Sequence, residues 1–160
     1  MSDLAVMKEV LFHEMQVGIK TTQALLEKVR AEDWDYRPRE NMRTLRELAH
    51  HLVMIPETDL AIVQEKTQEE VQAIEGRELP DAAAMNEAME QGFLRLKDYY
   101  YSLSDQDFLE KETKAFYAPA GATQAKWCVE TTTHIFHHRA QMFNYMKQLG
   151  YDINMFDLYI

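Results

Sequence analysis

Five of the six histidines fall into two groups, His50–His51 and His134 with His137–His138, and this grouping is the clearest chemical signal in the chain. Histidines four apart share one helical face, so His134 and His138 can turn both rings toward a single ion. Imidazole supplies a neutral ligand near pH 7 at little cost. A third imidazole has to come from another helix. His51 or His50 is the obvious donor, whereas His13 stands alone. On the last helix Trp127, Thr131, His134, His138, Gln141 and Tyr145 share a face by three-and-four spacing. Thr44, Glu47, Leu48, His51, Ile55 and Thr58 form the corresponding stripe on the second helix. His51 therefore travels with the core stripe, while His50 is rotated by about 100°. His137 fits an i,i+3 pair, so spacing leaves it open beside His138, whose face is the better continued one. Set against this, helical histidines are most often surface or hydrogen-bonded core residues, and HxxxH alone is a weak signal.

Other chemistry has little support. No phosphate-binding loop, dinucleotide fingerprint or GxSxG elbow occurs. Cys128, the sole cysteine, excludes an internal disulfide and lies off the histidine face, as a small buried residue would. The Tyr99–Tyr100–Tyr101 run cannot all face one way and reads as packing and interface rather than a binding box. With 17 basic and 27 acidic residues, the net charge of -10 repels nucleic acid and anionic membrane surfaces. No stretch approaches the roughly 20 apolar residues of a membrane helix, and the amino terminus lacks a secretion signal. The expected setting is cytoplasmic.

The elements that must position the histidines are helices. The 160 residues hold only 5 Gly and 4 Pro, and β-branched residues do not alternate in runs. One domain over residues 1–160 is expected, large enough for its own core. The first helix is predicted from Asp3 to Val29, followed by the loop AEDWDYRPRENM, whose Trp34 and Tyr36 cover an end of the bundle. Thr44 with Glu47 forms a capping box for the second helix, which reaches toward Glu65. Thr67 with Glu70 caps a short turn before Gly76. Leu79-Pro80-Asp81 starts a third helix to about Leu103, and Ser104 with Asp107 caps another turn. Glu110 to Thr123, containing FYAPAGAT, lacks helical pattern and is expected to be a lid or a crossover. The last helix spans Gln124 to Leu149, stopped by Gly150. The apolar tail YDINMFDLYI is expected to dock on something. Four long amphipathic helices predict an all-α four-helix bundle, and ten Met suit its core.

The segments DWDYRPRENMRTLRELAHHLV and THIFHHRAQMFNYMKQLG together resemble the DinB-like superfamily, which includes YfiT-type and thiol-dependent transferase proteins. The pattern is a Tyr-Arg-Pro loop, a helix with Glu-Leu-x-x-His-Leu, and a helix with His-x-x-x-His-Arg-x-Gln. Here the helical motifs are Glu47-Leu48-Ala49-His50-His51-Leu52, and His134 with His138, Arg139 and Gln141. Ala140 stands where the family usually has Gly. The resemblance implies a bundle in 1-2-4-3 order and a metal site at His51, His134 and His138, holding zinc or nickel. It further implies a small-molecule substrate, a low-molecular-weight thiol such as bacillithiol, and a homodimer. The leading expectation is a metal-dependent thiol S-transferase. A metal-dependent hydrolase and a non-catalytic, stress-related metal-binding protein are the alternatives. Glu47, one turn before His51, is a candidate to orient a ligand or act as base, with helix capping as its structural role. No catalytic acid or base is otherwise identified.

Overall fold

The computed structural model describes residues 2–159. Six helices carry the fold: α1 (Asp3–Glu27), α2 (Leu45–Val63), α3 (Gln68–Glu75), α4 (Ala82–Ser102), α5 (Asp105–Glu110) and α6 (Gln124–Gln148). Each starts where a side chain satisfies free backbone N–H groups. Thr44 and Thr67 form full capping boxes with Glu47 and Glu70, while Asp81, Ser104 and Thr123 cap α4, α5 and α6. Pro56 sits within α2 without ending it, buried on that helix.

α1, α2, α4 and α6 form a four-helix bundle around a core that includes Phe12, Met15, Leu52, Met89, Phe93, Ile135 and Met142. Met thus fills much of the centre, as its flexible thioether allows. The order around the bundle differs from the 1-2-4-3 arrangement, which sets the first two long helices side by side. α1 and α2 each pack against both α4 and α6, so the cyclic order is α1–α4–α2–α6. Two glycines explain it. A Cβ on Gly92 of α4 would lie 3.1 Å from the backbone nitrogen of Glu57 in α2. A Cβ on Gly18 of α1 would lie 2.9 Å from the Phe136 ring of α6. Close approach is built into these two helix pairs, and residues 28–44 give the chain length to cross from α1 to the diagonal position.

The segment between α5 and α6 is more ordered than its sequence suggests. Strands β1 (Glu112–Thr113) and β2 (Ala122–Thr123) pair antiparallel, with Glu112 opposite Thr123 and Thr113 opposite Ala122. Thr113 pins this ribbon to the bundle: its hydroxyl donates to the Val63 carbonyl at 3.2 Å and accepts from Gln124 at 2.8 Å. Its own carbonyl accepts from the Trp127 indole at 3.1 Å. At the other end Trp34 is buried, and Tyr36 meets Tyr145 edge-to-face at 5.9 Å, closing the bundle as expected. The tail docks there too. Ile153 is buried, and the Tyr151 hydroxyl donates to Asp33 at 2.6 Å while accepting from the Arg30 backbone at 2.7 Å. Among the described residues, no helix is long and apolar enough to cross a membrane.

Candidate metal centre

α2 and α6 lie side by side, and their facing stripes bring His51, His134 and His138 together. The His51 Nε2 lies 3.1 Å from the Nε2 of His138 and 3.4 Å from that of His134. The nearest ring nitrogens of the three all fall within 4.8 Å of one another. A tetrahedral ion with Zn–N bonds of about 2.0–2.1 Å sets neighbouring donor atoms ~3.3 Å apart. The donor set and its spacing therefore fit a divalent ion that prefers imidazole. The rings meet at steep angles, 88° for His51 against His138. The short Nε2–Nε2 distances, rather than the ring planes, mark the point that the three rings share.

Protonation favours the same use. Burial pushes the His51 ring down to about 3, with Arg43 and the other two rings adding to the effect. Burial also lowers His138 to about 4, against an opposing hydrogen bond from Gln141, and it lowers His134. Three imidazoles that cannot share charge stay neutral and keep lone pairs available at pH 7. The His138 Nδ1–H donates to Gln141 Oε1 at 2.7 Å, which leaves the Nε2 lone pair facing the cluster. In sequence Gln141 was only a shared-face residue and part of a motif; here it orients a ring.

The other candidates go elsewhere. His50 Nε2 donates to the Arg77 carbonyl at 2.8 Å, a contact that ties α2 to the segment after α3. His137 is exposed at the edge of the site, and His13 is exposed on α1. Glu47 serves the helix rather than the cluster: its carboxylate accepts the Thr44 N–H at 2.7 Å, which holds it below the usual carboxylate range. Cys128 is fully buried, and burial pushes its thiol up to about 12, so it offers no thiolate.

A cleft of about 480 Å³ opens beside His51 and His134. That volume suits a small molecule. Ile55, Ile62 and Trp127 form apolar wall, and Tyr117 from FYAPAGAT lines the cleft as well. The segment is thus part of the cleft as well as a connection. Asp59 also lines it, buried and bonded to Thr131 at 2.7 Å. Sequence reasoning missed Asp59, although an acid one turn beyond Ile55 on an apolar stripe was a usable signal.

Solved structures of similar shape extend over nearly the whole chain. A protein from Exiguobacterium sibiricum, described as a member of the DinB family, is 28% identical, with 99% of each chain covered and a TM-score of 0.80. YfiT from Bacillus subtilis, described as a probable metal-dependent hydrolase with an unusual four-helix bundle topology, is 16% identical. Its superposition covers 95% of this chain and 91% of YfiT at a TM-score of 0.73. A DinB-like protein from Bacillus cereus is 19% identical over 89% of this chain and 92% of its own, with a TM-score of 0.70. No curated protein matches the sequence significantly. The DinB family itself matches residues 1–160, from end to end, and the chain belongs to that family.

Proposed function

We propose that this protein is a metal-dependent thiol S-transferase in which His51, His134 and His138 hold one zinc or nickel ion and a low-molecular-weight thiol of bacillithiol type is the co-substrate. The observation that carries the metal-dependent reading is the meeting of three neutral imidazoles at the edge of a cleft with apolar walls. Three protein ligands leave a coordination position free, which separates catalytic from structural zinc sites. An ion bound there supplies Lewis acidity that lowers the pKa of a thiol. Gln141 fixes the His138 ring, and burial keeps the three rings from taking protons that would compete with the ion. Ile55, Ile62 and Trp127 keep water from the wall on which an electrophile rests.

Metal-dependent hydrolysis is the second reading, favoured by the similarity to YfiT, which is so described. The same open position would then serve water instead of a thiol. In both readings residues 1–160 act as one cytoplasmic domain on a small-molecule substrate. The exposed tail residues Met155, Phe156 and Tyr159 are the surface on which a homodimer would form, and light scattering at micromolar concentration tests it.

The test is turnover by metal-reconstituted protein of 1-chloro-2,4-dinitrobenzene with bacillithiol or glutathione, beside p-nitrophenyl acetate without thiol. Saturable, thiol-dependent thioether formation that disappears in His51→Ala and His138→Ala is expected. Ester hydrolysis with the same metal dependence and no thiol requirement would replace the transferase by the hydrolase. Neither activity across a broad panel of electrophiles and esters would remove the enzyme reading.

A further inference from the structure

Asp59 lies eight residues after His51, about 12 Å farther along α2 by helical rise. Its partner Thr131 lies one turn of α6 before His134, so Asp59 stands in the same cleft one to two helical turns from the imidazoles. The Thr131 hydroxyl makes two contacts, with Asp59 Oδ2 at 2.7 Å and with the Trp127 carbonyl at 3.0 Å. A hydroxyl has one hydrogen, and the carbonyl can only accept. With Asp59 ionised, the single Thr131 hydrogen is shared between the carboxylate and the Trp127 carbonyl; with Asp59 protonated, the acid can donate to Thr131, which then donates to Trp127, so both forms keep the two contacts. The surroundings favour the protonated form. The titratable groups facing Asp59 are Glu75 from α3, Tyr100 from α4, Tyr117 from the ribbon segment and Glu130 from α6, none of them basic. Burial, opposed by the Thr131 bond, pushes the carboxyl up to about 7.

A second polar group waits in the same cleft. Thr58 lines the cleft at 7% exposure, and its hydroxyl has no hydrogen-bond partner. A hydroxyl buried without a partner is costly unless a ligand satisfies it. Trp127 and Tyr117 add aromatic surface, and no Lys or Arg lines the cleft among the described residues. Glu130 at the rim is already held by Lys126 at 2.6 Å, so Asp59 is the charge the interior can still develop. Acid, hydroxyl acceptor and aromatic wall together suit a cation that donates hydrogen bonds.

We propose that Asp59 and Thr58 bind the basic nitrogen of an amine-bearing substrate, Asp59 losing its proton to solvent as the ammonium group arrives. Where Asp59 is protonated, one positive charge enters as one proton leaves, so that form of the site keeps its net charge. This rests on the reading of the cleft as a substrate site, but not on the metal.

The experiment is calorimetric titration of benzylammonium chloride into the full chain at pH 7, in two buffers of different ionisation heat. It is run on chelator-treated and on metal-loaded protein. Saturable binding is expected in both, with a measurable release of protons, as a carboxyl raised toward neutral pH by burial requires. Neutral benzyl alcohol should bind at least tenfold more weakly. Asp59→Asn, folded with an unchanged or higher thermal midpoint, should lose the proton release and at least tenfold in affinity; Thr58→Val should lose severalfold. Equal binding of benzylammonium by Asp59→Asn, binding without proton release, or no binding at all would overturn the proposal. Amine binding by a chain that holds no ion would remove only the metal reading, and an ion-holding chain that ignores the amine would remove only this one.

Discussion

His138 and Arg139 are consecutive on α6, face different sides of it, and both bury a basic group with no carboxylate partner among the described residues. Toward α2, burial strips the His138 ring of its charge and leaves a lone pair. Toward α1, Arg139 is 4% exposed, and burial lowers its pKa as well. Guanidinium is too basic to lose its proton at neutral pH, so it stays a cation and must be solvated by neutral groups. It donates to the Thr21 hydroxyl at 2.8 Å and the Leu158 carbonyl at 2.9 Å, and it stacks on the Phe136 ring at 4.3 Å. The same burial thus makes a candidate ligand from one residue and a clamp for the C-terminal tail from the next. Intrinsic basicity decides which.

Exchanging the two losses should separate function from stability. His138→Ala is expected to abolish stoichiometric metal binding while changing the thermal midpoint of the metal-free protein little. Arg139→Met should leave metal binding intact and cost about 2–4 kcal/mol, because the Thr21 hydroxyl and the Leu158 carbonyl lose their donor. Denaturant unfolding beside metal analysis checks both; a stable Arg139→Met chain would show that the tail does not need its clamp. Gln141→Ala is a smaller step, expected to weaken metal affinity by 10–100-fold with a normal fold, as loss of a ring-orienting partner does. Competition with a chelator of known affinity would reveal it, and unchanged affinity would mean that Gln141 does not set the ring.

The smallest effect is a pH slope. The histidines titrate lower in the folded chain than at their ordinary 6.5, so the unfolded state binds more protons below that pH. Stability of the metal-free protein should therefore fall as pH drops from 6.5 toward 4. Asp59 acts in the opposite sense. Its carboxyl sits near 7 instead of 3.8, so the folded state holds the extra proton and stability falls as pH rises between those values. Thermal melts of Asp59→Asn should consequently show a steeper loss on acidification than the natural sequence. Parallel slopes would mean that Asp59 is ionised in the fold.

Much of this was legible in local sequence. Thr44 with Glu47, Thr67 with Glu70, Asp81 and Ser104 begin helices where their side chains predict, since caps depend on near neighbours only. The His134–His138 spacing and the core-facing position of His51 likewise follow from helical geometry. Choosing His51 over His50 took the helical wheel, but what occupies His50 is the Arg77 carbonyl, a contact 27 residues away that no periodicity contains. Helix order was hidden for the same reason: nothing local to Gly18 or Gly92 shows that α6 and α2 lie against them. The β1–β2 ribbon is only two residues on each side, held by Thr113 to two helices, and too short to show alternation. Asp59 was lost because an acid inside an apolar stripe looks like an interruption until a cleft opens beside it.

The most direct measurement is the metal content of tag-free protein by mass spectrometry, natural sequence beside His51→Ala, after reconstitution with zinc or nickel. About one ion per chain is expected, lost in the variant while its circular dichroism stays helical. A natural chain that retains no ion, or a His51→Ala chain that retains it fully, would contradict the claim that these three imidazoles form a metal centre.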